Sequence, residues 1–282
     1  VTILTQYSTR PGMSVADRSD VDPGVAAIAA RFVAARLNFE ATPDYPGAVP
    51  QDMATAYATQ DAAIDLFPDR IVGWKVGMVP PAQQARLNAH RLAGPIFARN
   101  LWSVGEAPSR LPAIRDGFAA VEAEFVARIG AVDPDQMDWT LDQARAAIEG
   151  LHIGVELAGS SLPTINDLGS AVVASDFGNN GGLVLGLAIE DWEARLAGIE
   201  VETEIDGVLI GQGTAGSIPL GIVESVRFLI EHCARRGRPL AAGALISTGA
   251  VTGVHQAAIG ATAVCRFSGV GDIHCSVVEA GI

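Results

Sequence analysis

The chain has 282 residues, of which 49% are hydrophobic and 18% charged, and it carries a net charge of −13. That apolar share supports a sizeable core and excludes wholesale disorder, while the acidity repels phosphate backbones and anionic lipid, so neither nucleic acid nor a membrane is an expected partner. An anionic ligand would need a cation or a well-placed basic residue.

Three cysteines, Cys233, Cys265 and Cys275, with no C-x-x-C pair fit a reduced cytoplasmic protein better than a disulfide framework or a zinc-thiolate site. No apolar run is long enough to span a bilayer, and the opening V-T-I-L-T-Q-Y-S-T-R-P-G has no continuous apolar stretch. Residues ahead of Met13 are read as an extension and carry no functional weight.

Asp22-Pro23 is an N-cap followed by proline at the first helical position, and V-A-A-I-A-A-R-F-V-A-A-R-L continues it as an amphipathic helix. A Pro/Gly-rich link leads to a second helix from about Gln51 to Leu66. From Arg70 the chain turns to short β-type runs: R-I-V-G-W-K-V-G-M, F-A-A-V-E-A-E-F-V-A-R-I and L-H-I-G-V-E-L. A helix over Leu141–Glu149 is expected, with Thr140 and Gln143 as a capping box and Gly150 as its stop. Asp206-Gly207 marks a hairpin between I-E-V-E-T-E-I and V-L-I-G-Q-G. A last helix spans about Pro219 to Arg236, stopped by Gly237. Residues 1–69 thus read as a helical segment packed on a catalytic body of residues 70–282, and the class as α+β.

Of 19 basic residues one is lysine, Lys75, which leaves 18 arginines. A chain that uses arginine for its generic cations has a reason to place lysine here, between Trp74 and Val76 in an apolar strand. Lysine can lose its proton when desolvated and arginine cannot, so Lys75 is a candidate for proton transfer or compact charge placement. A lysine snorkelling from a strand end is the alternative.

Glu122 and Glu124 lie two apart on a strand and share a face. Glu156 lies in a second apolar strand, where a lone carboxylate is costly without a partner. Together they would form an all-oxygen site suited to Mg²⁺ or Mn²⁺. Spacing alone leaves a solvated strand face equally open, and Glu200, Glu202 and Glu204 repeat the pattern beside the Asp-Gly turn, where they read as that solvated face.

G-W-K-V-G, V-E-A-E-F and G-V-E-L-A-G-S, in that order, resemble the signature of the 2-keto-4-pentenoate hydratases and 2-oxo-3-hexenedioate decarboxylases of the fumarylacetoacetate hydrolase superfamily. The resemblance runs from A-Y-A-T-Q near residue 58, through A-S-D-F-G-N-N-G-G-L-V-L-G, to I-S-T-G-A-V-T-G near the end. It implies a β-rich mixed fold with N-terminal helices, a homo-oligomer, and a small-molecule 2-oxo acid substrate. Glu122, Glu124 and Glu156 then correspond to the Mg²⁺ or Mn²⁺ ligands, Lys75 and Asp176 to catalytic residues, and Trp74, Ser160, Thr248 and Gly249 to substrate contacts.

The implied reaction adds water to a 2-hydroxy-2,4-dienoate, giving a 4-hydroxy-2-oxo acid, in the catabolism of aromatic meta-cleavage products. In it Lys75 moves a proton or holds the enolate oxygen, and Asp176 partners it or positions water. The chain departs from many relatives at Gly77-Met78-Val79-Pro80 and Gly159-Ser160-Ser161, where Gly-Leu-Thr-Ser and Gly-Ser-Arg are common. Trp74, Met78, Phe97 and Trp102 offer an apolar tail pocket, with core packing as the alternative.

Several rivals follow from the same residues. A 2-oxo-3-hexenedioate decarboxylase needs a second basic residue in its pocket, for which Arg91 and Arg99 are nearest in sequence. A C–C hydrolase of acylpyruvates is disfavoured because no lysine follows residue 75. A binding protein with a relic metal site is the non-catalytic reading. G-Q-G-T-A-G at residues 211–216 has the dinucleotide spacing, but its strand belongs to a hairpin and no acidic residue ends the next strand. The histidines His90, His152, His232, His255 and His274 show no ligand spacing.

Overall fold

The computed structural model describes residues 21–281; the extension ahead of Met13 lies outside them. Helix α1 (Pro23–Asn38) starts where the sequence places it, with Asp22 Oδ1 accepting from the Gly24 and Val25 amides. Helix α2 (Met53–Leu66) is capped by Asp52.

Both helices are tied into the β body by specific contacts. Ile28 and Phe32 of α1 pack with Phe118, Ala120, Ala158 and Leu162. Gln60 of α2, fully buried, donates from Nε2 to the carbonyls of Ala93 and Ala174.

The larger sheet is built from β1 (Ile71–Met78), β2 (Arg91–Phe97), β3 (Leu101–Ser103), β5 (Phe118–Ile129), β6 (Ile148–Ser160), β7 (Asn180–Ala188) and β10 (Leu245–Ala250), in the order β2-β1-β10-β5-β6-β7-β3. The short β11 (His255–Gln256) pairs with β5. The second sheet runs β4-β13-β12-β8-β9, from β4 (Ser109–Ala113), β8 (Glu200–Ile205), β9 (Val208–Thr214), β12 (Thr262–Phe267) and β13 (Gly271–Glu279). Parallel pairs (β1 with β10, β3 with β7, β4 with β13) mix with antiparallel ones, as an α+β chain allows. With the two N-terminal helices, this is the expected class.

Alternation along β5 decides what each face does. Val121, Ala123 and Phe125 turn into the main core, where Phe125 meets Phe267 of the second sheet edge-on at 5.7 Å. Glu122 and Glu124 therefore turn the other way. Ser247 of β10 and Lys75 of β1 join that second face, since Lys75 pairs with Ser247 and Ser247 with Val126.

Two boundaries differ from the sequence reading. Helix α3 (Leu141–Ala146) has the expected capping box but ends at Ala146, and β6 starts at Ile148, so Gly150 lies inside a strand. The β-bond ladder with β5 claims the segment before the glycine can stop a helix. Helix α4 (Gly221–Arg235) begins after Pro219, and Gly237 at φ 70° follows its end. The Asp206-Gly207 turn, with φ 50° and 78°, closes the β8–β9 hairpin as its sequence dictates. In G-Q-G-T-A-G, Gly213 lies where a Cβ would strike the Val251 carbonyl oxygen at 2.3 Å, so that glycine serves close packing.

Candidate metal centre and adjoining cavity

Two strands bring the three carboxylates together. Glu122 and Glu156 are direct cross-strand partners on β5 and β6, and Glu124 follows on the same face. One oxygen from each lies within 4.8 Å of the others, and all three residues are buried. Glu124 Oε2 accepts from Ser247 Oγ at 2.5 Å and from the Gly249 amide at 2.9 Å. A register irregularity in β10 between Ser247 and Ala250 accompanies the approach of these two donors to one oxygen. Glu156 Oε1 accepts from Asn180 Nδ2 at 3.0 Å and faces Lys75 Nζ at 3.4 Å.

Two carboxylate oxygens, Glu124 Oε1 and Glu156 Oε2, are buried without a hydrogen-bond partner. Buried anionic oxygens are not left bare in stable proteins unless something else completes them. The charges agree: Lys75 supplies one positive charge against three negative ones, which leaves two for a divalent cation to neutralise. The all-oxygen donor set suits a hard cation such as Mg²⁺ or Mn²⁺.

Burial pushes the carboxyls of Glu122 and Glu124 up to about 7 and that of Glu156 up to about 8, with Lys75 opposing the rise in each case and neighbouring carboxylates adding to it. Burial alone would lower the Lys75 ammonium. The charges of Glu156, then Glu122 and Glu124, outweigh it and hold Lys75 above its ordinary value. The three carboxylates beside it thus favour the charged form of Lys75, in keeping with compact charge placement.

A cavity of about 360 Å³ opens at this cluster. Lys75, Glu122, Thr248 and Gly249 line it, together with Met78, Gln83, Arg91, Asn166, Asn179 and Pro219, among others. Thr248 itself turns its hydroxyl to the Phe125 carbonyl at 2.8 Å. Asn179 was not singled out from the sequence. It is buried in the cavity wall and its Oδ1 has no hydrogen-bond partner.

Asn179 is held there by an unusual backbone. Phe177, Gly178 and Asn179 have φ of 51°, 65° and 62°, three left-handed residues in succession. Such strain persists only where surroundings over-determine it, and it concentrates at functional sites. The turn presses on Gly94, where a Cβ would sit 2.0 Å from the Phe177 carbonyl oxygen, and Gly94 is the β2 partner of Lys75. The Phe177 ring anchors the other side among Phe67 and Phe97.

Asp176 and Ser160 are brought together, but behind this turn and outside the cavity wall. Asp176 Oδ1 accepts from Arg36 Nε at 2.7 Å and Oδ2 from Ser160 Oγ at 2.5 Å. Arg36 also donates to the carbonyls of Asn180 and Gly159. Both Asp176 oxygens are engaged and the side chain is fully buried, so its geometry is that of a clamp on residues 176–180.

Trp74 is likewise displaced from the expected role. Neighbours on a strand face opposite ways, so with Lys75 in the site Trp74 points into the core, beneath Arg236. Of the other expected tail residues, Met78 lines the cavity, Phe97 is core, and Trp102 packs against Gly182 away from it. Arg91 lines the cavity; Arg99 is paired with Asp69 elsewhere.

A buried lysine and three convergent glutamates lie on one face of a mixed sheet, beside a cavity, and the glutamate cluster fits a divalent metal. The model of the fumarylacetoacetate hydrolase C-terminal family matches residues 80–278, and the chain belongs to that family. The TodF product hydratase of Pseudomonas putida is 28% identical over 262 residues, spanning 88% of this chain and 95% of its own.

Among solved structures, 4-oxalocrotonate decarboxylase from Pseudomonas putida, complexed with calcium and acetate, superposes with a TM-score of 0.73 at 22% identity, covering 90% of this chain and 97% of its own. Fumarylpyruvate hydrolase from Pseudomonas aeruginosa, in complex with Mn²⁺ and pyruvate, gives 0.55 at 18%, covering 76% and 91%. These two likenesses establish the fold.

Proposed function

We propose that the protein is a metal-dependent hydratase that adds water to a 2-hydroxy-2,4-dienoate, giving a 4-hydroxy-2-oxo acid, in the breakdown of aromatic ring-cleavage products. The observation that carries the reading is Lys75 Nζ, 3.4 Å from Glu156 at the edge of a carboxylate cluster with two bare oxygens, where cluster and cavity meet. Likeness to a hydratase along nearly the whole chain supports it.

Glu122, Glu124 and Glu156 would hold Mg²⁺ or Mn²⁺, whose contribution is charge neutralisation at the substrate's carboxylate and adjacent oxygen. Lys75, the cation at the edge of the cluster, is suited to stabilise the enolate oxygen or to return a proton to the dienoate carbon chain. The bare amide oxygen of Asn179 can accept from the attacking water or from the 2-hydroxyl. Asp176 acts at a distance, by fixing the turn that presents Asn179 to the cavity and Asn180 to Glu156. Met78, Leu92 and Ile218 give the remaining wall an apolar character that suits an unsaturated chain.

The direct test offers Mg²⁺-loaded protein 2-hydroxypenta-2,4-dienoate and 2-oxo-3-hexenedioate in parallel, following loss of the ultraviolet chromophore while trapping released CO₂. Chromophore loss without CO₂, abolished by EDTA, is expected. CO₂ released in step with the chromophore would replace the hydratase by a decarboxylase working from the same centre. Silence on both would remove the reading and favour C–C hydrolysis or a non-catalytic binding role.

A further inference from the structure

The turn that carries Asn179 has a second side. Behind it lies another cavity, of about 310 Å³, which shares no lining residue with the first. Gly178 and Asn179 face the first cavity, whereas Phe177, Asn180 and Gly181 face the second. Phe97, Trp102 and Arg99, which the sequence offered to the substrate's tail, all belong to this second wall.

That wall is aromatic and basic. Five rings line it: Phe39, Phe67, Phe97, Trp102 and Phe177. Two guanidiniums stand over rings of the wall, Arg99 5.3 Å from Phe67 and Arg36 5.2 Å from Phe177. The chain has 32 acidic residues against 19 basic ones, yet among the described residues no acidic side chain lines this cavity. Such a wall attracts anions locally in a molecule that repels them elsewhere.

The two arginines differ in what they leave free. Arg36 is committed to Asp176 and to the carbonyls of Asn180 and Gly159. Arg99 is held loosely. Its partner Asp69 accepts from the Arg70 and Arg99 amides at 2.9 and 2.8 Å and stands 3.5 Å from Arg99 Nε. Arg99 Nη2 donates to the neutral Pro68 carbonyl, and the next residue, Asn100, adds an amide donor to the same wall.

Phe39 is strained at the rim. It ends helix α1 at φ 56°, a conformation costly for a bulky side chain, and a Cβ at Gly281 would lie 2.8 Å from its ring. The ring is nevertheless 48% exposed. Strain of this kind collects where it serves a function.

We propose that this second cavity binds a small aromatic carboxylate, with its ring against Phe39, Phe67 and Trp102 and its carboxylate at Arg99 and Asn100, and that its occupancy is coupled to the carboxylate cluster. The connection is short. Arg36 holds both ends of the 176–180 turn, Asn180 Nδ2 donates to Glu156, and Gly159 and Ser160 of the wall continue β6 from Glu156. A ligand that orders this wall also orders Glu156. The site is independent of the reaction proposed above and meets it only at the cluster.

Calorimetric titration with 2-naphthoate tests the site, with naphthalene-2-carboxamide lacking the charge and decahydro-2-naphthoate lacking the aromatic faces. The aromatic acid is expected to bind once per chain, at least about tenfold more tightly than either control. Arg99→Gln and Phe39→Ala, both at partly exposed side chains, should each weaken it by about tenfold. Arg91→Met, in the first cavity, should leave it unchanged. Saturating 2-naphthoate should tighten Mn²⁺ binding by about fivefold, and Mn²⁺ should tighten 2-naphthoate by the same factor. Absence of binding, equal binding of the carboxamide, or binding that survives both Arg99→Gln and Phe39→Ala would overturn the site. Binding that leaves Mn²⁺ affinity unchanged would overturn the coupling. None of these results bears on the hydratase assay.

Discussion

Two strands of this protein carry glutamates at alternate positions, and they come to opposite ends. Glu122 and Glu124 on β5 lie near the middle of the larger sheet, flanked by β10 and β6, buried and converging with Glu156. Glu200, Glu202 and Glu204 on β8 lie next to the edge of the second sheet, where Glu202 accepts from Gln212 and Glu204 pairs with Arg266. Period-two spacing guarantees a shared face and nothing more. What gives a row of carboxylates the geometry that fits a metal is the neighbouring strand: β6 adds a third glutamate and β1 a buried lysine, whereas β9 and β12 answer β8 with a glutamine and a half-exposed arginine.

The two strands should differ most at their cationic neighbours, Lys75 beside β5 and Arg266 beside β8. Lys75→Arg keeps the charge, removes the compact ammonium and should cut turnover by about a thousandfold, in the range of a lost acid–base group. Arg266→Lys, the equivalent exchange beside β8, should leave turnover unchanged. Steady-state rates of the two variants, measured alongside their Mg²⁺ dependence, check the contrast; a fully active Lys75→Arg protein would remove the lysine from the chemistry.

Asp176→Asn should cost about 3–5 kcal/mol of stability, because Arg36, its side chain only 10% exposed, is left without its charge partner. Urea denaturation measures it. The same variant sharpens the distinction between a clamp and a catalytic group: under a clamp role, residual activity should recover with conditions that restore folding, such as added Mg²⁺ at lower temperature. The smallest effect belongs to β8, where Glu204→Gln removes a part-exposed ion pair and should shift stability by less than about 1 kcal/mol.

Much of this was legible from short-range pattern. The Asp22 cap, the Thr140–Gln143 box, the Asp206-Gly207 turn and the full length of β5 depend on neighbours within a few residues, and the chain forms them as read. The carboxylate cluster and Lys75 could be proposed because apolar strands make their charges conspicuous. Trp74 could have been assigned to the core by the same alternation that places Lys75 in the site.

Other features were beyond local reading. Asp176 is occupied by Arg36, which lies 140 residues earlier, so its clamp role is a property of the tertiary fold. Asn179 reaches the cavity only because three left-handed residues stack on Gly94. Arg91 enters the wall through the β1–β2 register and the approach of Pro219 and Ser225, neither of which a sequence pattern announces.

Glu122, Glu124 and Glu156 are expected to form one divalent-cation centre, and the β8 glutamates none. Titration of the protein with Mn²⁺, following the free-ion electron paramagnetic resonance signal, tests it directly. One saturable site per chain is expected, lost in Glu156→Gln and retained in Glu202→Gln. A site that survives Glu156→Gln, or the absence of any saturable site, would contradict the account.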